Sequence, residues 1–262
     1  MKFGCCISIH NISYAKQFGY DFAELSADEI MKIPDEEWPK TKEFILSANI
    51  PINGFNSFNS GELALIGARR NVQKNKEYFY KLTTRAQDVK CKNIGIGAPK
   101  TRILEKDYSY EKAQEEMNEF LLYAAETAFE KGITVLYEAL HPKACNFGNY
   151  SKEIYNTVQH LSKPNLHMVW DTYHSSNAGE TMTDIVSFLP EIKHVHICSW
   201  DQDLHRFYLK QQDSDSVRAV FSFLCSRHFD NTISIEAPDQ NFSAIGMESL
   251  DVLKKAYYEV KK

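Results

Sequence analysis

The stretch Val135-Leu-Tyr-Glu-Ala-Leu-His-Pro-Lys143 decides the reading of this chain. Apolar and β-prone residues make it a buried strand that runs into a polar mouth, and Glu138 interrupts it. A carboxylate inside such a strand is costly unless it is paired, hydrogen-bonded or bound to metal. Three later apolar strands each end in one metal-competent residue: Met168-Val-Trp-Asp171, His194-Val-His196 and Ile233-Ser-Ile-Glu236.

Working outward from these strands, the chain alternates strand and helix signals. Strands are expected at Phe3–Ser8, Phe22–Ser26, Ile52–Phe58, Asn93–Gly97, Ile133–Leu140, Leu166–Asp171, Ile192–Ser199 and Thr232–Glu236. Helices are expected at Ser13–Phe18, Asp35–Ala48, Val72–Lys90, Tyr110–Glu130, from Ser151 to before Pro164, and at Thr183–Leu189, Ser214–His228 and Ser249–Val260. Gly19 stops the first helix, Lys131-Gly132 stops the fourth, and Ser151 supplies a cap. Strict βα alternation over 262 residues predicts an α/β fold, a (β/α)₈ TIM barrel in a single domain. A doubly wound open sheet is the alternative, and no Gly-x-Gly-x-x-Gly follows the first strand to support it. The loop 98–109 is long enough to be a candidate lid.

Composition narrows the class. The chain is 43% hydrophobic and 25% charged, ordinary for a globular protein, and its net charge of -5 argues against a general nucleic-acid binder. No apolar run approaches a membrane span, and the first residues do not read as a signal peptide. The six cysteines form no Cys-x-x-Cys pair and are expected to be reduced thiols in the cytoplasm.

A barrel gives Glu138, Asp171, His196 and Glu236 a common address, because active sites in this fold lie at the carboxyl ends of the strands. Period-two alternation places His194, His196 and Cys198 on one face, His167, Val169 and Asp171 on another, and Thr232, Ser234 and Glu236 on a third. The last polar member of each set meets the others at the mouth. Three carboxylates and an imidazole suit one Mn²⁺, Zn²⁺ or Co²⁺ ion, with Mg²⁺ also compatible.

With Tyr-Glu-Ala-Leu around Glu138, Trp-Asp-Thr-Tyr-His from Trp170 to His174, His-Val-His ending at His196, and Ser-Ile-Glu-Ala-Pro around Glu236, the chain resembles the sugar phosphate isomerase/epimerase superfamily. These are the xylose isomerase-like TIM barrels, which include ketose 3-epimerases, inosose isomerases and dehydratases, and apurinic-site endonucleases. The resemblance covers essentially the whole chain, 1–262, and implies a metal-dependent isomerase or epimerase acting on a sugar or ketopolyol. It implies that Glu138, Asp171, His196 and Glu236 bind one divalent ion. Glu138 and Glu236 then exchange a proton beside a carbonyl through an enediolate. His174 would hold substrate hydroxyls, and His141, Lys143 and Trp200 are further substrate-binding candidates. A dehydratase on an inosose or dehydroshikimate-like substrate is the alternative outcome of the same proton abstraction. The expected partner is a small carbohydrate, with neither nucleic acid nor membrane; a homo-oligomer stays open.

The chain departs from the family pattern at two places. The second glutamate of the ketose 3-epimerases is Ala144 here, and the arginine many members carry beyond the ligand histidine is Gln202. Arg206 and His205 are nearby alternatives from a shifted loop, and neither is assigned. Asp203 and His205 have the spacing of extra ligands, and His194 reads as a core histidine. A DNA-repair phosphodiesterase of this fold needs added histidines at the ends of strands two to four. Those ends read Ser26-Ala-Asp, Asn56-Ser-Phe and Gly97-Ala-Pro. No Gly-rich phosphate turn follows strands seven or eight, so a free sugar is expected, although Lys100, Arg102, Lys143 and Arg206 could meet a phosphate.

Overall fold

The computed structural model describes residues 1–262. Eight parallel strands close into a barrel: β1 (Lys2–Ile7), β2 (Phe22–Ser26), β3 (Ile52–Asn56), β4 (Asn93–Ile96), β5 (Thr134–Glu138), β6 (Leu166–Asp171), β7 (Ile192–Ile197) and β8 (Thr232–Ile235). Each lies beside its neighbour in sequence, and β1 closes on β8 with Lys2 opposite Thr232. Ten helices accompany them: α1 (Ile12–Phe18), α2 (Ala27–Lys32), α3 (Trp38–Ser47), α4 (Val72–Asp88), α5 (Tyr110–Phe129), α6 (Ser151–Leu161), α7 (Thr172–Asn177), α8 (Met182–Ile185), α9 (Ser214–Cys225) and α10 (Phe242–Lys261). The expected (β/α)₈ barrel is what the chain forms.

Local chemistry explains the elements. Along α5, Ala113, Met117, Phe120, Leu121, Ala124 and Ala128 recur at helical spacing and are buried against the barrel. Its start is capped by the Ser109 hydroxyl, which accepts from the Lys112 N–H. Gly19 takes φ 85°, the left-handed turn that ends α1. Outward strand residues such as Ile94, Ile96, Val135 and Tyr137 fill the layer between sheet and helices.

The structure differs from the sequence reading at four connections. The turn α2 follows β2 directly, capped by the Ser26 hydroxyl accepting from the Glu29 N–H. The helix α7 follows β6 with no loop between them. The helix expected at Thr183–Leu189 shrinks to α8 and a 3₁₀ turn, Val186–Glu191, that contains Pro190. After β7 a small ribbon pairs Ser199–Trp200 with Arg206–Phe207. No helix is long and apolar enough to cross a membrane. All six cysteines are free, and five are buried.

Candidate metal and active site at the barrel mouth

Glu138, Asp171, His196 and Glu236 converge at the carboxyl ends of β5 to β8, with one ligand-type atom from each lying within 4.8 Å of the others. The register places Asp171 opposite His196, and His196 opposite Ser234, just below Glu236. Asp171 has two tasks. Its Oδ1 caps α7, accepting the N–H of Tyr173 at 2.7 Å and of His174 at 3.2 Å. That cap leaves Oδ2 for the mouth and turns His174 toward it. Glu138 has room because a glycine follows β4: a Cβ at Gly97 would sit 1.7 Å from Glu138 Oε2.

The donor set fits a divalent cation. Glu138 Oε1, Asp171 Oδ2 and His196 Nδ1 are buried and have no hydrogen-bond partner. Such atoms are rare in folded proteins, and three that converge need a common partner. His196 Nδ1 lies 3.8 Å from Glu138 Oε1 and 3.5 Å from Glu236 Oε2. Three carboxylates and one imidazole, with no thiolate among the four, suit a mid-row or hard divalent ion.

Charge crowding sets the protonation states. Burial raises the Glu138 pKa, and Glu236 adds to the rise. Burial, Glu236 and Glu138 together push Asp171 well above the usual carboxylate range. Burial acts the same way on Glu236, but Arg206 and His196 outweigh it and hold that carboxyl at about 2. Burial alone would lower His196, yet the carboxylates around it, Glu236 first, raise it well above an ordinary imidazole. His174 is pushed well down by burial and by Arg206.

Arg206 was left unassigned from the sequence, and the structure places it in the site. Its Nη1 donates to Glu236 Oε2 at 2.6 Å and lies 3.7 Å from Asp171 Oδ2. The guanidinium also sits over the Tyr173 ring, 5.4 Å from its centroid. The ribbon after β7 brings it there. Asp201 Oδ1 accepts from the N–H of Asp203 and of His205, which tightens the turn so that Arg206 returns over the mouth. The Asp-Gln-Asp turn between two β-prone pairs was the available signal. Glu24 was also missed. It is buried in the barrel interior below His196, between two apolar residues of β2.

The other candidates divide. His174 lines the cavity that holds Glu138, Arg206 and Glu236. His141 is buried behind it: its N–H donates to His174 Nδ1 at 3.2 Å, and its Nε2 is 3.3 Å from the Tyr173 hydroxyl. Lys143 is exposed on the loop beyond and lines neither lobe of the mouth. Trp200 is not in the mouth either. The ribbon turns it edge-on to Tyr173, and it lines a separate cavity with Trp170, Met182 and Val217. Asp201, Asp203 and His205 cluster on the exposed turn. Arg102 is fully buried, donates to the Glu138 carbonyl at 3.0 Å and lies against the Tyr137 ring, behind the site rather than in it.

The mouth has two lobes of about 220 and 200 Å³ that share Ser26, Ser57, Arg206 and Glu236. One extends to Ser8, Glu29 and Asp239, the other to Asn59, Gly97 and His174. The ends of β2, β3 and β4 bring no imidazole there. A closed parallel barrel with a polar, carboxylate-rich mouth at the carboxyl ends of its strands is the class of fold and site seen here. Within it, the family model described as xylose isomerase-like TIM barrel matches residues 12–256, and the chain belongs to that family. Comparison with curated proteins gives no match. Among solved structures it is similar to 3-keto-D-glucoside 4-epimerase, YcjR, from E. coli, at 15% identity over 97% of this chain and 99% of that one, with a TM-score of 0.79. It is similar to D-allulose 3-epimerase from Methylomonas sp. in complex with D-allulose, at 18% identity over 100% and 96%, TM-score 0.76. The IOLI protein with a zinc atom superposes at 18% identity over 99% and 98%, TM-score 0.73.

Proposed function

We propose that this protein is a divalent-metal-dependent isomerase or epimerase that moves a proton beside the carbonyl of a sugar or ketopolyol. The observation that carries this reading is the convergence of three buried, unpartnered ligand atoms, on Glu138, Asp171 and His196, beside Glu236. Those four residues would hold the ion, His196 through Nδ1. When bound there, the ion polarises a substrate carbonyl and stabilises negative charge on its oxygen.

The chain's own residues do the rest. Glu138 and Glu236 end strands on different sides of the mouth and approach a substrate between them from different faces. One removes the proton from the carbon beside the carbonyl, leaving an enediolate, and the other returns it. Arg206 orients Glu236 and offers its remaining N–H groups to a substrate oxygen. His174 has Nδ1 occupied by the His141 N–H, so Nε2 is the nitrogen available to a hydroxyl. Ser8, Ser26, Asn56 and Asn59 line the lobes with neutral donors and acceptors, and Arg206 is the one cation there, already engaged by carboxylates. This supports a free sugar or ketopolyol over a phosphorylated one.

Elemental analysis of protein purified without chelator should find about one divalent ion per chain. The same protein should convert members of a panel of free ketoses and cyclic ketopolyols, followed by optical rotation. Appearance of an enone absorbance instead would identify the dehydratase outcome. Absence of bound metal, with no gain of activity on adding Mn²⁺, Co²⁺ or Zn²⁺, would sink the reading.

A further inference from the structure

We infer that Glu24, on the inner face of β2, is a positioning residue that fixes which nitrogen of His196 faces the mouth and thereby sets the metal affinity of the site. The inference rests on the metal reading above and concerns a residue that touches neither metal nor substrate.

The argument is one of donors and acceptors. An ionised carboxylate only accepts, so every group aimed at it presents a hydrogen. Three groups are aimed at Glu24 inside the barrel. Ser234 donates its hydroxyl to Oε1. His194 Nε2 lies 2.6 Å from Oε1, somewhat off the hydrogen-bond line. His196 Nε2 lies 3.5 Å from Oε2. The far side of His194 agrees with this direction: its Nδ1 is 2.7 Å from the Thr232 hydroxyl, and Thr232 Oγ1 accepts from Asn53 Nδ2 at 3.3 Å. When the Thr232 hydroxyl donates to His194 Nδ1, the proton of that ring is on Nε2, facing Glu24. His196 closes the set from above. With hydrogen on Nε2, Nδ1 is the nitrogen that faces Glu138 and Glu236, at 3.8 and 3.5 Å, where an ion would take the place of a proton.

The barrel makes room for this arrangement. A Cβ at Gly54 would come within 2.7 Å of Glu24 Oε2, so β3 is a glycine where Glu24 needs space. The competing partner for His196 Nε2 is the Cys6 thiol, 3.9 Å away. A carboxylate behind a metal-bound imidazole fixes tautomer and ring orientation, and losing one typically weakens metal binding by about 10–100-fold.

The test compares zinc affinity, by chelator competition, of wild type, E24Q and C6A. E24Q keeps the volume but can turn an amide N–H toward Nε2, so zinc binding should weaken about 10–100-fold. C6A should leave it unchanged. In zinc-loaded wild type labelled with ¹⁵N-histidine, long-range ¹H–¹⁵N correlations should show the His196 proton on Nε2, with H196N providing the assignment. This measurement stands even if E24Q fails to fold. A proton on Nδ1, or equal zinc affinity of E24Q and wild type, overturns the role of Glu24 while leaving the metal reading intact. Weakening by C6A as large as by E24Q reassigns the partner to Cys6 and also overturns it. Failure of wild type to take up zinc, manganese or cobalt overturns the metal reading and this inference with it.

Discussion

A single methyl at Gly97 should disable the site with every charged residue left in the sequence. The φ of Gly97 lies outside the left-handed region, so alanine is compatible with the backbone there. Its Cβ would meet Glu138 at 1.7 Å from Oε2 and 2.8 Å from Cδ, whereas ordinary contact begins at 3.4 Å. The carboxylate must withdraw by more than an ångström, and misplacing a catalytic group by about 1 Å costs on the order of 10²-fold in rate. Overpacking of this kind costs about 1–3 kcal/mol, which at about 2–4 °C per kcal/mol for a chain of this size leaves a folded protein at 25 °C. Gly95, two residues back on the same face, is the control, because a Cβ there finds only the Phe55 carbonyl oxygen at 3.6 Å and the Asn56 Cα at 3.8 Å. G97A should therefore lose turnover and metal uptake while G95A keeps both, measured as kcat, bound metal and thermal melting on the three proteins side by side. If G97A and G95A match wild type in turnover and metal content, Glu138 is not held where the chemistry needs it, and the reasoning fails.

Three further outcomes follow from the same geometry. Glu138→Gln and Glu236→Gln should each keep the fold and lower turnover by about 10²–10⁴-fold; near-normal turnover with metal bound would remove both glutamates from the proton transfer. For Arg206→Met, the apo protein should melt below wild type at neutral pH. Glu236 is held at about 2, below its ordinary 4.5, so the stability it gains from Arg206 is full above about pH 4.5 and fades as pH falls toward 2. Melts across that range should show the gap closing, and a gap independent of pH would refute the pairing. Because burial and neighbouring carboxylates raise Glu138 and Asp171, metal binding should expel protons and strengthen as pH rises; calorimetry in buffers of different ionisation heat should read that release, and identical heats would contradict it.

The barrel was legible because its signal is local. Each strand is a short apolar run, each connection holds a helical pattern, and a polar residue at a strand end needs only period-two alternation to be placed. Glu138, Asp171, His196 and Glu236 were singled out that way, and the barrel brings them together. Arg206 was not, because its position depends on a turn whose geometry comes from side-chain-to-backbone bonds at Asp201. Trp200 failed for the same reason: an aromatic after a strand end reads as a pocket wall, and the ribbon rotates it away from the mouth. Glu24 escaped notice because its partners, His194 and Ser234, lie on strands far away in sequence and meet it only when the barrel closes. The helix α7 was hidden because its capping residue is the candidate ligand Asp171, so the cap read as chemistry alone.

The two polar layers inside the barrel bear on why the upper one is there. His194 and Ser234 belong to the lower layer, His196 and Glu236 to the upper, each pair separated by one turn of the pleat. In the lower layer the ionisable group, Glu24, has a hydroxyl and two imidazoles arranged around it, and its carboxyl is held ionised despite complete burial. In the upper layer Glu138 Oε1, Asp171 Oδ2 and His196 Nδ1 have no partner, and one guanidinium serves two carboxylates. Buried charge left uncompensated costs several kcal/mol. One pleat below, Glu24 has the Ser234 hydroxyl as donor and two imidazoles close by, so the barrel supplies partners to a buried carboxylate there that it does not supply above. Among the unpartnered atoms of the barrel, these three come from residues gathered at the open end, and that gathering is what supports a cation as their proposed partner.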